Sequence, residues 1–425
     1  MKFIFSILLF LFVCSSSFAA KLSDYRPYKF EVLFTNPVCA TYAYDRVVTT
    51  HSGQTLEAKP DDVYCKPSDE AASVTRKNSP QFRLIEWITS SDVKEIHAAY
   101  LSFSSKNIVN AMCTALKNGV KIRMVLDGGE GPEVSVNKDA EGLKKCGDIS
   151  ITYRGSTGGL GYAHNKILLV QLKDTQTAKI VFSSGNMTSG TSINHENWNF
   201  VTTSKESFFA QTHLCVFDSM IQSGDTKAHF RDALNICRSK IKTSPETDIS
   251  VYFSPVDGKE ALDQVTKVSK ISKNIEAMSH RLSGALSALF SELVMAKKDI
   301  KFILDDDIYW AEKLKKDVGR NSKIEAFRIY NDLINKGMNT RFLQTNQNVY
   351  QLQHNKFMIF TFENNKGAVF NGAGNMTTAA FTKNFENFYY ITIPEVVDAY
   401  NKQYDLYFDK MATKPDDMPR DYVLP

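Results

Sequence analysis

His164-Asn165-Lys166 is followed by Gly185-Asn186-Met187-Thr188 and then by Asn194-His195-Glu196-Asn197. Further along, His354-Asn355-Lys356 is followed by Gly374-Asn375-Met376-Thr377 and by Asn384-Phe385-Glu386-Asn387. From each histidine the lysine lies 2 residues on and the glutamate 32 on. The first asparagine lies 22 on in one set and 21 in the other, and the sets stand 190 residues apart. These residue types can do phosphoryl transfer. One imidazole attacks phosphorus and forms a covalent intermediate, while a second protonates the leaving alcohol and then activates water. Glu196 and Glu386 are the candidates for holding each ring in one tautomer. Lys166 and Lys356 supply positive charge, and Asn186 and Asn375 neutral donors, where the phosphoryl oxygens gain charge. Such a kit requires neither a metal nor another cofactor.

Each piece alone has a plain structural explanation. A histidine beside a lysine is ordinarily an exposed polar face, and Asn-Met-Thr is also a glycosylation sequon. Two matched sets are another matter, because repetition of a fold preserves an apolar pattern and not this choice of polar residues. His195, next to Glu196, is expected to face the opposite way and serve the structure. His51, His97, His213, His229 and His280 have no repeat partner and stay outside the predicted site.

The elements that must position these residues are readable. Ile167 to Leu172 and Phe357 to Phe362 are apolar runs of strand length. Residues two apart on a strand share a side, which lets each His and its Lys, and each Asn-x-Glu pair, serve one pocket. Ile96 to Phe103 reads as a strand, Lys106 to Lys117 as a helix stopped by Gly119, and Val120 to Asp127 as a buried strand. A helix around Leu286 to Lys297 and a strand Ile300 to Asp305 repeat the theme, and amphipathic helices are expected near 206–221 and 227–240. Arg154 to Gly161 is a glycine-rich loop. Alternating strands and helices define an α/β protein. The predicted organisation is a signal peptide at 1–19, an N-terminal extension at 20–62 and a first domain at 63–242. A linker at 243–250, a second domain at 251–413 and a tail at 414–425 complete it.

Residues 1–19 have the pattern of an export signal: Lys2, an apolar stretch from Phe3 to Val13, and small residues at Ser17 and Ala19. The stretch is short for a membrane anchor. Removing it takes Cys14 away and leaves six cysteines, an even number that favours disulfides in an exported chain. Sequence-adjacent pairing predicts Cys39–Cys65, Cys113–Cys146 and Cys215–Cys237. A formal charge of +4 excludes the strongly basic balance of a dedicated nucleic-acid binder.

At the paired polar sets the chain resembles the phospholipase D superfamily, whose signature is HxKxxxxD followed by GSxN and a later Glu. The resemblance covers nearly the whole mature chain. It implies two α/β sandwich domains related by a pseudo-twofold axis, with the active site between them, and a metal-independent reaction through phosphohistidine. By similarity His164 would be the nucleophile and His354 the general acid. The chain departs from the signature in three places. The Asp position is occupied by Gln171 and Thr361, and the Ser of GSxN, present as Ser184, is Ala373 in the second set. Ser184 is expected to help bind substrate.

The leading expectation is a secreted or periplasmic phosphodiesterase that hydrolyses phospholipid headgroups or transfers the phosphatidyl group. It would work at a membrane surface as a monomer without an obligate protein partner. A secreted or periplasmic nuclease, with nucleic acid as its partner, is the alternative. A non-catalytic phosphodiester-binding protein is the third.

Overall fold

The computed structural model describes residues 28–37, 46–49, 55–58, 74–128, 137–156, 158–174, 176–309, 322–345, 352–364 and 366–418. At 46–49, 55–58 and 322–324 only the backbone is described. The expected signal peptide and the Cys39–Cys65 pair lie outside the described residues.

The first half contains strands β1 (Tyr28–Thr35), β4 (Val93–Tyr100), β5 (Lys121–Asp127), β6 (Ile149–Arg154), β7 (Lys166–Leu172), β8 (Thr177–Ser183) and β9 (Glu196–Ser204). Strands β2 (Arg46–Thr49) and β3 (Thr55–Ala58) form a separate hairpin. The second half contains β10 (Ile249–Ser254), β11 (Asn274–Met278), β12 (Asp299–Asp305), β13 (Asn339–Leu343), β14 (Phe357–Thr361), β15 (Gly367–Gly372), β16 (Glu386–Ile391) and β17 (Ala412–Thr413). The first sheet runs β1-β9-β8-β7-β4-β5-β6 and the second β10-β16-β15-β14-β11-β12-β13-β17, so one strand order is used twice, with β17 added at an edge. In each sheet the two strand pairs beside the middle strand of the βαβ run are parallel, and the remaining pairs are antiparallel.

Both sheets are covered on both faces, which explains why the strands leading from His164 and His354 read as unbroken apolar runs. Along β7, Ile167 and Leu169 face a core shared by the two halves, while Leu168 and Val170 face a core belonging to the first half. Along β14, Phe357 and Ile359 enter the shared core, and Met358 and Phe360 enter the second half's own. In the shared core Phe182 stacks on Tyr389 with ring centroids 3.6 Å apart. Helix α1 (Pro80–Thr89) and α2 (Lys106–Lys117) cover the outer face of the first sheet. Helix α2 begins where the Ser105 hydroxyl accepts the Ile108 N–H, buries Ile108, Ala111, Met112, Ala115 and Leu116 on one stripe, and ends at Gly119 with φ 83°. Helices α3 (Phe208–Ser223) and α4 (Lys227–Arg238) and, from the other half, α8 (Pro394–Leu406) line the shared core. Between them in the chain, α5 (Gly258–Ile271), α6 (Ala285–Met295) and α7 (Ser322–Asn335) belong to the second half.

Two sequence expectations shift here. Residues 28–35, assigned to an N-terminal extension, pair along their full length with β9 and occupy the edge that β10 occupies in the other sheet. Their partner strand lies so far along the chain that local pattern could not show the pairing. At the other end Met418, placed in a tail, is buried in the second half's core.

Cys113–Cys146 joins α2 to the turn before β6, and Cys215–Cys237 joins α3 to α4, as sequence-adjacent pairing predicts. They close segments of 33 and 22 residues. Loop-closure entropy for such lengths gives about 3 to 4 kcal/mol each. Replacing either pair with Ala is therefore expected to lower the thermal midpoint by several degrees in a melting scan. An unchanged midpoint would mean that the bond constrains nothing in the unfolded chain.

Candidate active site

The two polar sets meet where the sheets' strand ends face each other, and each completes the other. His164 Nδ1 lies 2.7 Å from Glu386 Oε2, and His354 Nδ1 lies 2.8 Å from Glu196 Oε1. Each ring is thus held by the glutamate of the opposite half. Backbone contacts follow the same cross. The His164 N–H donates to Phe385 O at 2.9 Å, and the His354 N–H to His195 O at 3.0 Å. The Lys166 N–H donates to Asn387 Oδ1 at 2.9 Å, and the Lys356 N–H to Asn197 Oδ1 at 3.1 Å. A further asparagine on each side clamps the same junction. Asn384 accepts the Tyr162 N–H at 3.2 Å while its amide donates to Glu386 at 3.0 Å. Asn194 accepts the Leu352 N–H at 3.0 Å and reaches Glu196 at 3.5 Å.

With Nδ1 of each imidazole committed to a carboxylate, Nε2 is the nitrogen left for chemistry. Each histidine precedes its strand, since β7 begins at Lys166 and β14 at Phe357, so loop backbone places it. The ammonium groups of Lys166 and Lys356 turn back to donate to the His164 and His354 carbonyls, at 2.9 and 2.8 Å. Asn186 and Asn375 each carry a buried amide oxygen with no protein partner, so the side chain is free to turn either amide end toward a ligand. The glycine ahead of each is required by space. A Cβ on Gly185 would stand 2.5 Å from the Trp198 ring, and one on Gly374 2.4 Å from the Phe388 ring.

Ser184 does something different from what the sequence suggested. Its hydroxyl donates to Glu196 Oε2 at 2.6 Å and accepts the Asn197 N–H at 3.0 Å. It therefore braces a glutamate and has no donor left for substrate. His195 serves the structure, as expected: buried, it meets the Tyr407 hydroxyl at 3.2 Å, and its backbone carries the bridge to the His354 loop.

Burial dominates the electrostatics. It pushes Lys166 down to about 8, against the pull of Glu386 and Glu196, and holds Lys356 well below its ordinary range. It pushes Glu196 up to about 7, against Lys356, Ser184 and Lys166. Both reactive histidines are lowered by burial. Glu386 works against this at His164, whereas Lys356 adds to it at His354.

Several residues of the site carried no sequence signal that repeat matching could use. Asp127 and Asp305 end equivalent strands, and each accepts the backbone N–H of the residue before a reactive histidine: Ala163 at 2.7 Å and Gln353 at 2.5 Å. They stand 37 residues before His164 and 49 before His354, and the unequal spacing hides the match. His280, set aside for lack of a partner, lies with its ring centroid 5.9 Å from that of His354. Among the described residues one group could hold a cation by proximity, His280, Asp305 and Asp307, whose ligand atoms lie within 4.8 Å of one another. Its atoms are engaged by Arg281, Thr345 and the Gln353 N–H, so it is a hydrogen-bonded cluster.

Residues 84–221 and 274–410 each match the family described as cardiolipin synthase, PLD-like domain. The chain belongs to this phospholipase D-like family, within a superfamily of enzymes acting on phosphodiester or phosphate bonds. No curated protein sequence matches it. Among solved structures, phosphatidylserine synthase of Haemophilus influenzae Rd KW20 is similar with a TM-score of 0.55 at 11% identity, over 79% of this chain and 85% of that one. The polyphosphate kinase of Porphyromonas gingivalis is similar with a TM-score of 0.51 at 15% identity, over 79% of this chain. The match spans 46% of that kinase, less than half its length. A yeast tyrosyl-DNA phosphodiesterase aligns with a TM-score of 0.45 at 13% identity, over 73% of this chain and 86% of that one. For the synthase and the kinase, at these identities, the likeness is one of fold.

Proposed function

We propose that this protein is an exported phosphodiesterase of the phospholipase D type, which hydrolyses phospholipid headgroups or transfers the phosphatidyl group. The observation that carries the reading is the pair of crossed His–Glu contacts, which leaves Nε2 of each ring clear of its carboxylate, with Lys166 and Lys356 buried at the same junction. The family description favours a lipid substrate, and the two disulfides fit an oxidising compartment. Among the described residues no helix is long and apolar enough to cross a membrane.

In the proposed reaction His164 Nε2 attacks phosphorus. The bond to the headgroup oxygen breaks, and that oxygen takes the proton from His354 Nε2. The same His354 then removes a proton from water or an acceptor alcohol, whose oxygen attacks phosphorus. The P–N bond breaks and His164 is restored. Lys166, Lys356, Asn186 and Asn375 hold the phosphoryl oxygens.

This assignment has a pH signature. The proton that titrates at Glu196 near 7 belongs to the Glu196–His354 pair. If His354 is the acid, the pair must carry that proton, so kcat/KM falls as pH rises through about 7. It falls further as Lys166 loses its charge near 8. On the acid side activity falls when His164 protonates, below the ordinary histidine value. The expected kcat/KM profile on a soluble diester is a bell with its maximum on the acid side of neutrality. A profile that does not fall as pH rises through about 7 would show that this proton takes no part in the reaction.

The reading is tested by assaying the purified protein in EDTA on labelled phosphatidylcholine, cardiolipin and single-stranded DNA. Release of headgroup with intact DNA supports it. DNA cleavage without lipid turnover makes the protein a nuclease. No turnover of either, with wild type equal to His164→Ala, makes it a binding protein.

A further inference from the structure

The repeat is broken beside His354. Phe103 bridges Met187 in the first half as Leu282 bridges Met376 in the second, so Leu101 and Ser102 occupy the places of His280 and Arg281. After the paired aspartates, Asp127 is followed by Gly128-Gly129 where Asp305 is followed by Asp306-Asp307. At these matched positions the second half therefore carries an imidazole, a guanidinium and two carboxylates where the first half has Leu101, Ser102, Gly128 and Gly129.

These groups form one connected brace. His280 Nε2 lies 3.2 Å from Asp307 Oδ2. Arg281 binds both oxygens of the same carboxylate, at 3.2 and 3.0 Å. The Asp307 N–H donates to Asp305 Oδ1 at 2.8 Å, and Asp305 Oδ2 receives the Gln353 N–H. Asp306 is tied to Thr345 at 3.0 Å. One end of the brace thus holds the backbone entering His354. The other end fixes the His280 ring, which meets the His354 ring at 66°.

We propose that His280, fixed by Asp307 and Arg281, is a positioning residue for His354, and that it makes the two half-sites inequivalent. Glu196 fixes one edge of the His354 ring, and His280 packs against the ring from another element, so the two together restrict its rotation and keep Nε2 on the phosphorus. At His164 the ring is held by the Glu386 edge, and among the described residues no second ring packs against it. The histidine that must give and retrieve a proton in each cycle is the one held twice. The groups that face His280 are Asp307, Arg281, Asp305, His354 and Lys356. Burial lowers His280 to about 4, so it is a neutral aromatic contact at working pH.

The catalytic part of the inference rests on the proposed phosphodiesterase activity, and a readout independent of turnover separates the two. In full-length protein with 15N-labelled histidine, His280→Ala should shift the ring signals of His354 and leave those of His164 in place. On a soluble diester the same variant should lower kcat roughly 10- to 100-fold with little change in KM. Water entering beside His354 should relieve the burial that holds Glu196 up and move the alkaline limb of the profile to lower pH. His280→Phe, which keeps a ring against His354, should recover part of kcat, and Leu101→Ala should change neither signal. An unmoved His354 signal in His280→Ala overturns the proposal. So does a loss of kcat in His280→Ala that His280→Phe fails to relieve, or one accompanied by equal shifts at His164. Absence of turnover in wild type with the His354 shift present defeats the activity and not the positioning.

Discussion

His164→Ala and His354→Ala should each lower kcat by roughly 10³- to 10⁵-fold, and the double variant should be little worse than either. The reason lies in how the cycle divides. In the proposed cycle, without an imidazole at 164 no covalent intermediate forms, and the acid at 354 has no leaving group to serve. Without one at 354 the headgroup oxygen departs unprotonated and water is not activated. Residues that act in one sequence fail together, so their losses do not add. Neither change removes much core, because both side chains stand at the site's inner surface, each 10 to 13% exposed. Single-turnover kinetics on a labelled diester distinguishes the two. If His164 is the nucleophile, His354→Ala still accumulates labelled enzyme from a substrate with a good leaving group, and His164→Ala accumulates none. Comparable, additive losses of tenfold or less would mean that the pair does not perform the chemistry.

Glu386→Gln should disable His164, and Glu196→Gln should disable His354, although in each case the damaged histidine belongs to the other half. The expected fall in kcat is roughly 10²- to 10⁴-fold, the scale on which loss of a carboxylate behind a histidine acts by releasing the wrong tautomer. Glutamine fits the same space, so folding should survive. Histidine 15N signals provide the assignment: Glu386→Gln alters His164 and spares His354, and Glu196→Gln does the reverse. Glu196→Gln should also erase the titration near 7 from the kcat/KM profile. Should each glutamate instead alter the histidine of its own half, the crossed contacts at 2.7 and 2.8 Å would not describe the protein in solution.

What could be seen in the sequence was whatever occurs twice at equal spacing. The histidines, lysines and glutamates satisfied that condition, and the structure brings them to one junction; Asn186 and Asn375, at 22 and 21, missed it by one residue. The sequence could not show which glutamate serves which ring, because spacing along a chain says nothing about which of two similar halves a side chain faces. Asp127 and Asp305 escaped notice because loops of different length separate them from their histidines. His280 escaped because matching discards whatever is unique, and the asymmetry of the site resides in such residues. Ser184 was legible as part of a motif but not in its role, since only the fold shows that Glu196 takes its hydroxyl. Strand β1 was read as part of an extension, because its place in the first sheet depends on β9, to which nothing local connects it.

The crossing of the two His–Glu contacts also bears on dilution. Were the halves separate chains, each reactive ring would lose its carboxylate whenever the pair came apart, and activity would vanish below the dissociation constant. Here the segment from α4 to β10 keeps them in one molecule, so the second half meets the first at an effective concentration set by the tether, on the order of millimolar for a short link. Specific activity should then be independent of protein concentration. At high dilution, fusion preserves the site at concentrations where two separate halves would rarely meet.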